Sequence, residues 1–233
     1  MDTIPLYVPI IFSLTALATM AVLLHAGKTV GVSALPSKIL FFLLPAWLIL
    51  QEVIASTGFY EDATSVPPRL FLFGVLPAIV LIILYFVFFR SGFIEQLSLR
   101  SLTLLHVVRI PVEIVLLLLF MGGQIPKMMT FEGRNFDILS GVLAPIVYFI
   151  AFRSQTPKRW LLVTYNIIGL LLLVNIVSIA ALSLPSPIQQ LNFDQPNRAV
   201  LYFPYIWLPA VVVPIVLFSH LASLWNLSRG GRA

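Results

Sequence analysis

Seven long apolar runs divide the chain, each bounded by proline, glycine or charge, near residues 5–26, 38–58, 69–89, 101–122, 137–153, 160–183 and 201–226. A helix of about 20 apolar residues spans the hydrocarbon core of a bilayer. The pattern predicts an all-α, polytopic membrane helix bundle of seven transmembrane helices. The fifth run is short and gains length only by extending back through the polar Asp137. Spans consume most of the 233 residues, so 1–233 reads as a single transmembrane domain.

The charges between the runs give an orientation. With the N-terminus outside and the C-terminus cytoplasmic, inner segments carry nine basic residues, Lys28, Lys38, Arg90, Arg100, Arg153, Lys158, Arg159, Arg229 and Arg232, against the single acid Glu95. Outer segments carry four, Arg69, Lys127, Arg134 and Arg198, against Asp2, Glu61, Asp62, Glu132, Asp137 and Asp194. This positive-inside bias fits a multi-pass protein of the plasma (inner) membrane. Asp2 precedes the first apolar run and Lys28 follows it, the reverse of a cleavable signal peptide, so the first helix is expected to be retained.

Composition agrees. Hydrophobic residues make up 60% of the chain, charged residues 10%, and mean hydropathy is +1.02. The net charge of +5 is read as cytoplasmic loop bias rather than as affinity for nucleic acid; the expected partner is the lipid bilayer. There is no cysteine, which excludes disulfides, thiolate catalysis and cysteine-ligated metal centres.

The most informative polar positions lie within the fourth run, where His106, Arg109 and Glu113 read His-x-x-Arg-x-x-x-Glu. At about 100° per residue they fall within an arc of roughly 60° on one helix face. Ionisable groups at membrane depth face a partner, a cavity or a functional site. Arg109 stays charged and must find an acceptor, for which Glu113 and Glu52 are the natural candidates. One pairing leaves one carboxylate over, and an unpaired carboxylate in low dielectric tends to stay neutral. That residue reads either as a proton or cation site or as a satisfied structural hydrogen bond. Gln51 and Glu52 on the second helix, and Tyr205 on the seventh, complete the candidate ligand-binding or ion-pathway set.

Tyr202, Tyr205, Pro209 and His220 share a face of the expected seventh helix, the tyrosines at the level of an aromatic belt. Asn166 and Asn175 lie about 180° apart on the sixth, so they cannot line one cavity and suit interhelical hydrogen bonding. His25, His106 and His220 all fall in the inner half, where imidazoles bind zinc or copper, or a pair ligates haem. Each is on a different helix and none forms a ligand-spaced pair, so no metal or cofactor is assigned. The outer segments 129–137 and 192–198 both contain Asn-Phe-Asp with an arginine nearby. Asp137 is placed to cap the fifth helix, with a lid over the bundle as the alternative.

Seven spans with an outside N-terminus resemble rhodopsins, but the last lysine is Lys158, so no retinal Schiff base forms in the seventh helix. Zinc-dependent membrane hydrolases of the ceramidase and adiponectin-receptor type need a histidine pair in the last helix, which holds only His220. The segments His106–Glu113 and Thr130–Asp137 resemble an uncharacterised bacterial family of multi-pass membrane proteins, over about the C-terminal two-thirds of the chain. That resemblance implies no activity. Three function classes stay open: a protein that binds or transports a small molecule or ion in a proton- or cation-linked manner; a receptor-like or assembly protein; and a metal- or haem-dependent intramembrane enzyme. The small size suits a homo-oligomer if the first holds.

Overall fold

A computed structural model describes residues 4–229; Asp2 and Arg232, which enter the charge bias, lie outside the described residues. Among these, every regular element is helical. Six helices are long and apolar enough to cross a membrane: α1 (Tyr7–Val30), α2 (Leu35–Ser56), α3 (Phe71–Phe89), α4 (Leu99–Met121), α6 (Arg159–Leu182) and α7 (Leu208–Ser228). The expected fifth span is the shorter helix α5 (Ile138–Ala151), of 14 residues. α4 is central, packing on α1, α5 and α7, while α6 packs on α5 and α7.

The helix termini near the basic residues are tied together at one end of the bundle. Ser37 Oγ donates to the Gly27 carbonyl, Tyr85 to the Pro36 carbonyl, and Asn226 Nδ2 to the Leu97 carbonyl. Leu99, Ala151, Leu162 and Leu227 pack in one apolar cluster at this end. Lys28, Lys38, Arg90, Arg100, Arg153, Lys158 and Arg229 lie at or just beyond these termini, and we call this the basic end. The opposite, loop end is joined by Tyr202 donating to Glu61 Oε2, Gln195 Nε2 to the Ile125 carbonyl and Asn175 Nδ2 to the Arg134 carbonyl.

Prolines shape the helices in a specific way. A proline inside a helix lacks the N–H that would bond the carbonyl four residues earlier. Pro77 thus frees the Phe73 carbonyl and Pro214 the Ala210 carbonyl, and each lies in a widened π turn, Phe71–Val75 and Leu208–Val212. α2 satisfies both: Gln51 Nε2 donates to Phe73 at 3.0 Å and Trp47 Nε1 to Ala210 at 3.0 Å. Trp207 Nε1 returns a bond to the Leu48 carbonyl at 3.1 Å. Buried freed carbonyls need such partners where no water competes.

Two boundaries differ from the sequence expectation. The last helix begins at Leu208 rather than near 201, because Pro204 and Pro209 interrupt the apolar run and residues Ala199–Leu201 form a separate 3-10 turn. Tyr202 and Tyr205 therefore lie before the helix and do not share its face with His220. α4 carries a 3-10 turn at His106–Val108, two residues before Pro111.

Gln51 is fully buried and also accepts from the Tyr60 hydroxyl at 2.7 Å. Burial pushes the Tyr60 phenol up to about 12, so it remains the donor at neutral pH. Gln51→Leu leaves the Phe73 carbonyl and the Tyr60 hydroxyl unpaired. Purified protein should lose roughly 1–3 kcal/mol of stability, read as a lower midpoint of unfolding in detergent. Trp47→Phe, which orphans only the Ala210 carbonyl, should lose less.

Candidate functional site

The polar centre forms where α4, α5, α6 and α7 meet. The sequence places His106, Arg109 and Glu113 on one face of α4, and all three side chains are buried. Arg109, only 2% exposed, meets neither expected partner. Its Nη1 donates to Asp137 Oδ1 at 2.6 Å, with the Gly169 carbonyl at 3.4 Å, and its Nη2 bonds His220 Nε2 at 2.9 Å. Asp137 was expected to cap α5; its side chain makes no cap bond and turns to the guanidinium instead. A buried charge that cannot be given up outbids a helix cap.

Glu52 is the other correction. It sits half-buried on α2, which packs on α1 and hydrogen-bonds the loop-end turn of α7, while the ion pair of Arg109 goes to Asp137. Its neighbour Gln51 braces α3 as described above.

Glu113 is held by the loop between α4 and α5. Asn135 Nδ2 donates to Glu113 Oε1 at 2.5 Å and to the Met129 carbonyl at 3.0 Å, while its Oδ1 accepts from the Asp137 N–H at 3.0 Å. Asn135 therefore locks both carboxylates relative to each other. Met129, Thr130 and Asn135 are buried, so this loop enters the bundle. Non-helical backbone is tolerated at such depth only inside protein. Gly133 is required for the turn, since a Cβ there would strike the Lys127 carbonyl at 2.1 Å. Glu113 Oε2 makes no hydrogen bond.

The histidines are ordered by the same charge. Arg109 is always a donor, so His220 Nε2 accepts, and the ring proton sits on Nδ1, which donates to Asn166 Oδ1 at 2.8 Å. Asn166 Nδ2 in turn donates to the Leu162 carbonyl at 2.8 Å. His106 stacks on His220 with ring centroids 3.8 Å apart and planes 14° from parallel, and Tyr165 meets His106 edge-on at 5.8 Å. The Tyr165 hydroxyl donates to the Ser140 carbonyl at 2.9 Å. Both His106 nitrogens lack a hydrogen-bond partner.

This geometry does not assemble a metal site from the histidines. The only free lone pair of His220 is taken by Arg109, and its ring lies parallel to that of His106, so the two cannot converge on one ion. His25 is exposed on α1. Among the described residues no three His, Cys, Asp or Glu side chains are grouped to hold a metal. Tyr205 is buried away from the cluster, its ring 5.4 Å from that of Phe12 and its hydroxyl unpartnered.

The sequence reading missed Asn135 and Gly169 as site residues and gave Asp137 another role. The first Asn-Phe-Asp segment joins the site; in the second, Asn192 Nδ2 bonds Ser183 Oγ at 2.7 Å and Phe193 is exposed. The usable signal was position: only the first copy precedes an apolar run too short to span. Asn166 and Asn175 do face opposite ways, one to His220 and one to the Arg134 carbonyl.

Glu113 and Asp137 also line a cavity of about 120 Å³ whose remaining wall is almost wholly apolar, including Val112, Leu116, Leu173, Leu208 and Val213. It lies on the loop-end side of the ion pair, beneath Met129 and Val200.

Asp137→Ala strands the Arg109 charge and should cost roughly 3–5 kcal/mol, measured by thermal unfolding in detergent. Combining Arg109→Met with Asp137→Leu should recover most of that loss. At Gly169, a Cβ would lie 2.4 Å from His220 Cε1 and 2.7 Å from Nε2. Gly169→Ala should therefore destabilise by about 1–3 kcal/mol through overpacking, with a lowered unfolding midpoint as the readout.

A family model describing a domain of unknown function, DUF8737, matches residues 66–228. The match contains every residue of the polar centre and leaves α1 and α2 outside it. No curated protein and no solved structure matches the chain. Covering more than half of the sequence, the match establishes that the chain belongs to the DUF8737 family.

Proposed function

We propose that this is a plasma-membrane protein of seven spans, N-terminus outside, that binds or transports a small molecule or ion in a proton- or cation-linked manner, with Glu113 as the acceptor. The observation that carries the reading is the unpartnered Oε2 of a buried carboxylate at the wall of an apolar cavity. One guanidinium faces two carboxylates, and Asp137 takes the direct pairing. Charge balance in a low-dielectric core then calls for a proton or a cation on Glu113.

The cavity wall selects among cations. A hydrated metal ion gains little from leucine and valine, whereas an organic cation with an apolar body fits both features. The volume of about 120 Å³ is comparable to engineered apolar cavities of ~150 Å³ that accept a benzene ring. Short alkyl- and arylamines match it. The gathering of lysine and arginine at one end supports a cytoplasmic assignment of that end under the positive-inside rule, with α5 as the seventh crossing of this reading.

The test uses n-butylamine and benzylamine as probes, titrated calorimetrically into the purified protein in lipid nanodiscs. Wild type should bind, and Glu113→Gln should weaken binding roughly tenfold or more, the loss of a charge-assisted bond, at a near-unchanged unfolding midpoint. Equal affinity in the two proteins, or a mutant that is merely less stable, overturns the reading in favour of a structural, assembly role for the polar centre.

A further inference from the structure

Nine buried side-chain atoms among the described residues have no hydrogen-bond partner, and six of them belong to a row of positions along α4 and α7. They are Asn226 Oδ1 and Ser223 Oγ on α7, then His106 Nδ1 and Nε2, Arg109 Nε and Glu113 Oε2 on α4. All five residues are at most 2% exposed. The remaining three, on Ser65, Asn197 and Tyr205, lie elsewhere.

α4 and α7 run antiparallel and pack side by side. Asn226 is tied to the start of α4 through the Leu97 carbonyl at 3.0 Å, and His220 stacks on His106 at 3.8 Å. Between these anchors, Asn226, Ser223 and His220 descend α7 in steps of about 4.5 Å, and Arg109 and Glu113 continue along α4 in steps of about 4.5 and 6 Å. Orphaned polar atoms are unfavourable in a protein interior, and a buried water typically satisfies about three such groups. The row mixes acceptors and donors: an amide oxygen, a hydroxyl, an imidazole, a guanidinium N–H and a carboxylate.

We propose that α4 and α7 enclose a file of waters that connects the basic end of the bundle to Glu113. Its groups are flanked by His220 on α7, Tyr165 on α6 and Asp137 at the start of α5. The apolar cavity approaches Glu113 from the loop end and the file from the basic end, so one carboxylate is addressed from both. The file rests on the orphaned atoms and stands whether or not the cavity binds amines.

The absence of native cysteine makes the test direct. Ser223→Cys and Ala222→Cys sit at adjacent positions of α7 and are equally buried, at 1% and 0% exposure. In nanodiscs open at both faces, the small water-phase reagent aminoethyl methanethiosulfonate should modify Ser223→Cys at least about tenfold faster than Ala222→Cys. Should the Ser223→Cys protein not fold, radiolytic hydroxyl labelling of the unmutated chain decides: interior waters should oxidise His106 well beyond buried Leu102 and Leu105. Equal thiol rates, or His106 as protected as those leucines in the second case, overturn the file. Amine binding lost with Ser223→Cys still reactive removes the cavity reading and leaves the file in place.

Discussion

A guanidinium cannot shed its charge, and Arg109 carries one into the middle of a bundle whose other helices present mostly leucine, isoleucine and valine. Much of the polar architecture follows from that demand. Asp137 leaves the cap position of α5 and turns inward, Asn135 follows to hold Glu113, and the loop 126–137 is drawn into the protein with them. On the other side, His220 is confined to one tautomer, and Asn166 is placed to receive its proton. Even the contact between α6 and α7 is set here, since only glycine at 169 leaves room for the imidazole and offers its carbonyl to the same guanidinium.

The second constraint is the backbone. Prolines within the apolar runs mean carbonyls released where water is scarce, and α2 answers two of these carbonyls with Trp47 and Gln51. These bonds join α2, α3 and α7 into a frame at the loop end. The polar centre sits among α4 to α7, so α7 is the one helix that takes part in both the bracing and the candidate chemistry. The family match divides the chain along a similar line, covering the whole polar centre but neither bracing side chain.

Much of the architecture was legible from the apolar runs, because membrane-length hydrophobicity is a strong and local signal: six of the seven expected runs became long apolar helices. The exception, α5, follows a run that is short in the sequence itself; what was not legible is that Asp137 and Asn135 at its start bond Arg109 and Glu113, 22 to 28 residues away in sequence. The three-residue stripe on α4 was also legible, since helical periodicity alone puts His106, Arg109 and Glu113 on one face. Its partners were not. Periodicity orders residues within a helix and says nothing of which neighbour packs against it, so Glu52 was as good a candidate as Asp137 until α2 was seen to lie away from α4. Proline 204 and Pro209 likewise hid inside an apolar run that composition alone reads as one continuous helix.

The length of α5 has a consequence for the surrounding lipid. Fourteen helical residues extend about 21 Å, against a hydrocarbon thickness of ~30 Å. Leu139, Val142, Ile146 and Phe149 face outward along it. In the seven-span arrangement, the bilayer beside this one helix must thin to meet it, or another surface must cover the deficit. In that arrangement a short α5 would dent the bilayer on one flank of the protein, and hydrophobic mismatch would give that flank a preference for thinner membrane.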